Sequence, residues 1–317
     1  LFFITKGYTI NLIKIFGKSI LDAQRRGLLK SWDIGKIIVM SRNTKKLVND
    51  CPELISDKVE LLNGDISKID FLPDADFVIH AAASTDASRY LSHNKEEKQN
   101  IISATLNYCR LALKFHKNSK VVFCSSGAVY GYQPENVKYL TEDMDLGTIE
   151  RLDFVKKSYA YAKKDSEYAI QELGQNGLNV SIARCFAFVG KYLPRDQHFA
   201  IGNFIADGVA GRDIKVKANN KVYRSYMYAD DLVKWLMILA QNSQPQCPIY
   251  NVASETEIEI GKLANLVADI FNVSVVYTEN NSRPVDRYIP SVKKAINKFG
   301  LYDNYGLKES ILMSVSR

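Results

Sequence analysis

Short apolar runs alternate with longer amphipathic stretches through residues 1–185. Apolar runs of strand length predict buried strands, and apolar positions repeating every three or four residues predict helices. Their alternation is typical of a parallel sheet covered by helices on both faces. The predicted strands are Leu1–Thr5, Lys36–Ser41, Lys58–Leu62, Phe77–His80, Val121–Ser125 and Asn179–Arg184, and the predicted helices are Gly17–Leu29, Lys95–Lys117, Val155–Gly174, Ala229–Gln241 and Ile260–Phe271.

This rhythm predicts an α/β protein with a Rossmann-like, doubly wound parallel sheet. After Arg184 the pattern loosens into short elements separated by prolines. The length of 317 residues exceeds the usual size of a single core. We therefore expect residues 1–185 to form one domain, and residues 186–317 to form mostly a smaller lobe, with some segments returning to the first domain.

The composition is that of an ordinary globular protein, with 46% hydrophobic and 24% charged residues. The net charge of +7 is spread along the chain, which fits a small phosphate-bearing ligand, and no nucleic-acid-binding motif is present. No apolar segment approaches membrane-spanning length, and the five scattered cysteines are typical of reduced thiols in a cytoplasmic protein. The four histidines lack metal-ligand spacing, so no metal site is expected.

A tyrosine and a lysine four residues apart, Tyr159 and Lys163, lie on the predicted helix Val155–Gly174. Residues at this spacing share a helix face, where the lysine cation would lower the pKa of the tyrosine and prepare it as a general base. Such pairs also occur by chance in helices where the tyrosine simply packs. Ser126, at the end of the preceding predicted strand, adds a second hydroxyl, and the combination indicates hydride-transfer chemistry on a sugar.

Further polar residues follow the ends of other predicted strands. Asp65 and His80 hold such positions, although each alone could be a turn or core residue. Ligands bind at the carboxyl ends of the strands in an open parallel sheet. Together with Ser126, these residues outline one candidate rim.

Several segments in this order resemble the nucleotide-sugar epimerase/dehydratase branch of the extended short-chain dehydrogenase/reductase family. Each segment is a weak signal, but the set spans nearly the whole chain. The matching segments are Asn63–Ile66, His80–Ala83, Ser125–Gly131, Tyr159–Lys163 with Glu167, Arg184–Gly190, Arg224–Leu232 and Arg283–Asp286.

The resemblance implies a Rossmann domain that binds a nicotinamide dinucleotide and a C-terminal lobe that binds a nucleoside-diphosphate sugar. It implies that Tyr159 is the acid/base, that Lys163 holds the nicotinamide ribose and tunes Tyr159, and that Ser126 polarises the sugar oxygen. Two arginines would clamp the diphosphate. Cofactor contacts are expected at Gly7, Gly17, Arg42, Asp65, Ile66, Ala81, Ala82, Ala83, Tyr159 and Lys163, and substrate contacts at Ser126, Asn203, Arg224, Arg283 and Asp286.

The chain departs from the family at the first glycine-rich turn. The family pattern G-x-x-G-x-x-G lets the pyrophosphate approach a helix N-terminus. Here the equivalent stretch is longer and keeps only Gly7 and Gly17. Either the loop has lost cofactor affinity, or this stretch is a damaged or misread piece of an ordinary loop.

A second departure concerns the reaction. Family members that dehydrate sugars carry an Asp-Glu pair directly after the catalytic hydroxyl residue. This chain has Gly127 and Ala128 there, and neither can transfer a proton, so 4,6-dehydration is disfavoured.

The second predicted strand gives a clue to the cofactor. An acidic residue at its end would bind the adenosine ribose of NAD, but the chain has Ser41 and Arg42. Their side chains would bind the 2′-phosphate of NADP, so NADP is favoured slightly over NAD as the cofactor. Arg42 could instead stack on the adenine or face solvent.

The leading hypothesis is an NAD(P)-dependent enzyme that moves hydride at a ring carbon, C4, of a nucleoside-diphosphate sugar. It would be a 4-epimerase that retains its cofactor or a 4-keto reductase that releases it at each turnover. The alternative is a catalytically impaired scaffold or nucleotide-sugar-binding relative, because the glycine loop is altered. A homodimer through the helices at 95–117 and 155–174 is the default expectation from the family.

Overall fold

The computed structural model describes residues 1–4, 34–52, 55–83, 92–195, 199–218, 221–277 and 285–315. The predicted helix Gly17–Leu29, the loop glycines Gly7 and Gly17, and the predicted clamp Arg283 lie outside the described residues. The strands, in chain order, are β1 (Phe2–Ile4), β2 (Ile37–Ser41), β3 (Val59–Asn63), β4 (Phe77–His80), β5 (Lys120–Ser126), β6 (Asn179–Cys185), β7 (Phe188–Val189), β8 (Ile214–Val216), β9 (Val222–Ser225), β10 (Met227–Tyr228), β11 (Ile249–Val252), β12 (Glu257–Glu259), β13 (Val275–Tyr277) and β14 (Asp286–Tyr288).

Helices connect many of these strands. Beside them, two 3₁₀ turns span Gly127–Tyr130 and Gly147–Arg151. The α-helices among the described residues are α1 (Thr44–Asp50), α2 (Asn94–Phe115), α3 (Phe154–Gln175), α4 (Ala200–Val209), α5 (Ala229–Gln241), α6 (Ile260–Phe271), α7 (Lys293–Phe299) and α8 (Leu307–Met313).

The central sheet has seven strands in the order β11-β6-β5-β4-β1-β2-β3, and all its pairings are parallel. The strand order reverses beside β1, as in a doubly wound Rossmann-like fold. The predicted fold class is therefore confirmed. Strand β11, from the C-terminal third of the chain, completes one edge by pairing with β6.

The central strands are apolar along their whole length because both faces of the sheet are buried. In β4, Val78 packs with the cluster that includes Tyr108 of α2, whereas Ile79 packs with the cluster that includes Trp235 of α5. Neighbouring residues of a strand point to opposite faces, so both must be apolar when helices cover both sides. This explains why these segments show no polar alternation in the sequence.

A second apolar cluster, separate from those of the central sheet, is formed by residues between Val189 and Ile311. Strands β12, β9 and β14 form one sheet, and β13 pairs with β8. Helices α4 and α6 pack there through Ile205 and Leu263, which are fully buried. Among the described residues, no helix is long and apolar enough to span a membrane, and no three potential ligands cluster as a metal site.

Candidate active site

Helix α3 carries the predicted Tyr-Lys pair along the carboxyl edge of the sheet. The helix begins after Asp153, whose side chain accepts a hydrogen bond from the Lys156 backbone N–H at 2.9 Å. Tyr159 and Lys163 are one turn apart on the face toward β5. Tyr161, two residues from Tyr159, faces the other way and donates its hydroxyl proton to Glu150.

Lys163 is held inside the protein. Its side chain is 2% exposed, and its Nζ donates to the Cys124 carbonyl oxygen at 2.7 Å. The Nζ also lies 4.9 Å from the centre of the Phe123 ring. Burial lowers the pKa of Lys163 to about 8, so its proton is held less firmly than that of a surface lysine.

Tyr159 is half-buried and packs beside Ala83, which follows the end of β4. Burial raises the pKa of Tyr159 above its ordinary value of 10.0, and a hydrogen bond with Ser126 acts in the opposite direction. The prediction that this pKa lies below its ordinary value is therefore wrong for the free protein. The physical reason is that the Lys163 Nζ is bonded to the Cys124 carbonyl, while burial disfavours the phenolate.

Ser126 is the last residue of β5 and caps the 3₁₀ turn that follows. Its Oγ accepts a hydrogen bond from the Ala128 backbone N–H at 3.2 Å. The Tyr159 hydroxyl and the Tyr288 hydroxyl both interact with Ser126. The structure thus brings Ser126 and Tyr159 together as predicted, and adds Tyr288 from β14, which sequence reasoning missed.

Two aromatic side chains fill the space that a side chain at Gly127 would occupy. A Cβ atom built there would lie 2.5 Å from the Tyr288 hydroxyl oxygen and 2.5 Å from a ring carbon of Phe186. Real Cβ atoms do not approach other atoms so closely. This position therefore has no room for an acidic side chain without movement of the aromatic residues.

A buried ion pair joins the helix and strands that carry these residues. The Arg184 guanidinium donates from Nη2 and Nε to the Glu167 carboxylate at 2.8 and 3.1 Å, with both side chains at most 4% exposed. Ser125 donates its hydroxyl to the same carboxylate at 2.5 Å. This pair ties α3 to β5 and β6, and so fixes the position of Tyr159 relative to Ser126.

The predicted cofactor contacts follow the carboxyl ends of β2 and β3. Arg42 Nη1 lies 4.0 Å from the Asp65 carboxylate, and both side chains are partly exposed at the sheet edge. The Ile66 side chain is instead 1% exposed within the core. Ser41 is fully buried and its hydroxyl accepts from the Asn43 backbone N–H at 3.3 Å, so the expectation that Ser41 contacts a 2′-phosphate does not fit its position, whereas the Arg42 side chain is partly exposed.

Three alanines continue from β4 at the same edge. Ala81, Ala82 and Ala83 are nearly fully buried, and their methyl groups are the smallest side chains that keep an ordinary backbone. His80, just before them, lies edge-on to the Tyr108 ring with ring centres 4.8 Å apart. Burial lowers the pKa of His80 to about 3, so its imidazole is neutral and serves the core.

Three of the predicted substrate residues, Asn203, Arg224 and Asp286, lie in elements that follow β6 in the chain. Arg224 of β9 makes a two-pronged ion pair with Asp286 of β14, at 2.8 and 3.3 Å. The Arg224 guanidinium lies 5.9 Å from the centre of the Tyr288 ring, so the predicted diphosphate clamp contacts the tyrosine that lies against Gly127. Asn203 is in the first turn of α4.

Proteins similar in sequence to this chain include UDP-glucuronic acid decarboxylases. UDP-glucuronic acid decarboxylase 6 of Arabidopsis thaliana is 26% identical over 261 residues, which cover 80% of this chain and 72% of the relative. UDP-glucuronic acid decarboxylase 1 of Xenopus tropicalis is 25% identical over 247 residues, 74% of this chain and 55% of the relative. Both are similar to this chain through most of its length.

Solved structures show the same fold at lower identity. MoeE5 in complex with UDP-glucose and NAD gives a TM-score of 0.77 with 17% identity, covering 99% of this chain and 96% of that chain. UDP-N-acetylglucosamine 4-epimerase from Methanobrevibacter ruminantium gives 0.79 with 19% identity, covering 98% and 96%. Residues 29–253 match the model of the NAD dependent epimerase/dehydratase family. The match covers more than half of the sequence, and the chain belongs to this family of NAD-dependent nucleotide-sugar enzymes.

Proposed function

We propose that this protein transfers hydride between a nicotinamide cofactor and C4 of a nucleoside-diphosphate sugar, as a 4-epimerase or a 4-keto reductase. The observation that carries the proposal is the meeting of the Tyr159 and Ser126 hydroxyls above a buried lysine, Lys163. Family membership supports the same chemistry.

Each residue has a defined task in this reaction, and that of Lys163 is to hold the nicotinamide ribose. Ser126 donates a hydrogen bond to the C4 oxygen, and Tyr159 removes the proton from that oxygen as the C4–H bond breaks. When bound, the oxidised nicotinamide supplies the hydride acceptor and a positive charge beside Tyr159. The reverse step returns the proton from Tyr159 to the oxygen, with an epimerase using the opposite face of the sugar.

The described residues fit a nicotinamide dinucleotide. The alanines Ala81, Ala82 and Ala83 leave room beside the carboxyl end of β4, and Asp65 presents its carboxylate at the end of β3. Arg42 favours a 2′-phosphate, whereas Asp65, 4.0 Å away, carries the charge that repels one. The proposal is therefore NADP or NAD, with Arg42 as the residue that favours NADP.

The contact around Gly127 argues against a 4,6-dehydratase. That reaction needs side chains that add and remove protons at this position, and the Tyr288 hydroxyl and the Phe186 ring fill the space. Ala128 has no titratable group either.

Decarboxylation of a UDP-uronic acid is a second candidate, because proteins similar to this chain include UDP-glucuronic acid decarboxylases. Oxidation at C4 of such a sugar gives a β-keto acid, which loses CO₂ readily. The same Tyr159 and Ser126 would perform that oxidation. Only the substrate and the fate of the keto intermediate differ from the first candidate.

A thermal-shift titration with NAD, NADP and NADPH separates the enzyme from a scaffold that binds no cofactor. A ligand at about 100 times its Kd adds about 2.7 kcal/mol to the free energy of unfolding. NADPH as the best ligand favours the reductase, and NAD retained through purification favours the epimerase. A protein that holds no cofactor and shows no shift supports the scaffold alternative.

Turnover on a panel of neutral and acidic UDP- and dTDP-sugars then tests the site. Tyr159→Phe removes the acid/base and should lower kcat by about 10² or more. Tyr161→Phe is the matched control, because this tyrosine lies two residues away and bonds to Glu150. Unchanged turnover in Tyr159→Phe would remove that residue from the mechanism.

We also propose a homodimer through α2 and α3. Leu106 and Leu113 of α2 are 52% and 39% exposed, and Tyr168 of α3 is 55% exposed. Large apolar side chains exposed on one helix pair are typical of an interaction surface. Light scattering after size-exclusion chromatography should give twice the chain mass, and a monomer at all concentrations would contradict this proposal.

A further inference from the structure

Three buried polar residues lie side by side in the mostly apolar central sheet. Ser125 of β5 pairs in register with Arg184 of β6, and Arg184 pairs in register with Asn251 of β11. Side chains of in-register residues lie on the same face of a sheet, so the three residues form one polar row. Ser125 and Arg184 are bonded to Glu167 of α3, whereas Asn251, which is 0% exposed, has a different set of partners.

The carbonyl oxygen of the Asn251 side chain faces the 3₁₀ turn Gly127–Tyr130 that follows Ser126, here called the catalytic turn. The hydroxyl of Tyr130, the last residue of this turn, donates to Asn251 Oδ1 at 2.8 Å. The Tyr130 ring is 1% exposed, and the Arg184 guanidinium lies 4.8 Å from its centre. The catalytic turn is thus attached to β11 through one buried side chain.

The amide nitrogen of the same side chain faces the segment that follows β14. Asn251 Nδ2 donates to the carbonyl oxygens of Leu140 at 2.9 Å and Ser291 at 3.0 Å. The Ser291 N–H donates in turn to the Leu140 carbonyl oxygen at 2.8 Å. Two carbonyl oxygens require two N–H donors, so these partners set the orientation of the amide. Asn251 therefore joins the catalytic turn to the chain immediately after β14.

The chemistry of asparagine suits this position. Its short side chain offers an acceptor oxygen and two N–H donors, and all three are used here. The backbone N–H of Asn251 is also bonded, to the Glu142 carboxylate at 2.8 Å. Leucine would leave the Tyr130 hydroxyl and two carbonyl oxygens without these partners inside the protein, which is costly. Buried polar groups that are fully bonded favour one arrangement of the elements they join.

The catalytic turn and β14 are in direct contact. A Cβ atom built on Gly127 would lie 2.5 Å from the hydroxyl oxygen of Tyr288, the last residue of β14. Strand β14 also carries Asp286, the ion-pair partner of Arg224. A shift of β14 relative to the turn would therefore move the predicted diphosphate clamp relative to Ser126.

We propose that Asn251 is a positioning residue: its side-chain amide sets the position of β14 relative to the catalytic turn, and so sets the fit of the nucleotide sugar. The effect on substrate rests on the proposed function, whereas the effect on β14 rests on the hydrogen bonds alone. The proposed cofactor contacts follow β2, β3 and β4, which lie on the other side of β5 from β11 in the strand order. Asn251 should therefore affect the sugar and not the cofactor.

The test variant is Asn251→Leu, which keeps a similar volume and removes all three side-chain hydrogen bonds. We expect the Kd of UDP-glucose, measured by calorimetry with reduced cofactor present, to rise about 10-fold, and the Kd of the cofactor to stay within about twofold. Ser181→Ala is the matched control, because the Ser181 hydroxyl is equally buried on β6 and donates to the Leu239 carbonyl oxygen at 3.0 Å. Both Kd values should be unchanged in the control.

An unchanged Kd of UDP-glucose in Asn251→Leu, or an equal loss of cofactor affinity, overturns the inference. Tyr130→Phe is the second variant if Asn251→Leu does not fold, since it removes only the hydrogen bond to Asn251 Oδ1. It should raise the Kd of UDP-glucose about threefold and leave that of the cofactor unchanged. Equal sugar affinity in Tyr130→Phe and the unaltered protein also overturns the inference.

Hydrogen exchange tests the effect on β14 without any substrate. The backbone N–H groups of Ile289, Ser291 and Val292 each donate a hydrogen bond at 2.8 Å, which protects them from exchange. Peptides covering 286–292 should exchange about 10-fold faster in Asn251→Leu, and at the parent rate in Ser181→Ala. Unchanged exchange overturns the inference whether or not the protein binds a sugar. Faster exchange in a protein that binds no nucleotide sugar supports the positioning of β14 and counts against the proposed function.

Discussion

Replacing Lys163 by methionine should abolish turnover and yet stabilise the free protein. The side chain is 2% exposed, and burial lowers its pKa from 10.5 to about 8. This lowering of the pKa corresponds to about 3 kcal/mol by which folding disfavours the charged form. Methionine fills a similar volume without charge, and loses one hydrogen bond to the Cys124 carbonyl, worth about 1 kcal/mol. The expected gain in the free energy of unfolding is therefore about 2 kcal/mol at pH 7.

The pH dependence of this difference checks its cause. Below pH 8 the lysine is protonated in both the folded and unfolded states, so the advantage of methionine is constant. Between pH 8 and pH 10.5 the folded protein releases the Lys163 proton while the unfolded chain still binds it, so the unaltered protein gains stability relative to the variant as pH rises. The difference should therefore shrink across this range.

Urea unfolding of both proteins at pH 7 and near pH 10 measures the effect, with Lys164→Met as the control at a less buried position. Purified protein should first be freed of cofactor, because a ligand bound only to the folded state would add to its stability. A variant less stable than the parent at pH 7, by an amount that does not change with pH, would refute the reasoning.

Three further changes test other parts of the site. Glu167→Gln leaves the buried Arg184 cation without its anion and should cost about 3 kcal/mol in the free energy of unfolding, measured by urea titration. Gly127→Ala forces a methyl group against the Tyr288 hydroxyl and should lower kcat about 10-fold or more, whereas normal kinetics would show that the aromatic residues can move freely. Arg224→Lys keeps the charge but loses the planar fork, so the KM for the nucleotide sugar should rise about 10-fold while the Kd of the cofactor, measured by calorimetry, is unchanged.

The strands and long helices could be predicted because their signal is local. Residues 77–80 are an unbroken apolar run ending in His80, and burial on both faces of β4 requires that pattern. The pair Tyr159 and Lys163 was also readable, since helix geometry places i and i+4 on one face. These features depend only on neighbours within one element.

Features that depend on contacts between residues far apart in the sequence could not be predicted. Tyr288 lies 162 positions from Ser126 in the sequence, and nothing in the pattern around Asp286 indicates that its hydroxyl returns to β5. The pKa of Tyr159 is another case, because the Lys163 side chain could be assigned a face but not a partner. The structure gives that partner as the Cys124 carbonyl oxygen.

The measurement that tests the central claim most directly is hydride transfer from a nucleotide sugar labelled with deuterium at C4. The reaction is run with the protein in excess over the sugar and quenched within the first turnover, before the hydride returns to the sugar, and the cofactor is then analysed by mass spectrometry. The account predicts deuterium on the nicotinamide with the unaltered protein and with Tyr161→Phe, and loss of that transfer in Tyr159→Phe. Cofactor that binds but gains no deuterium from any labelled sugar would contradict it.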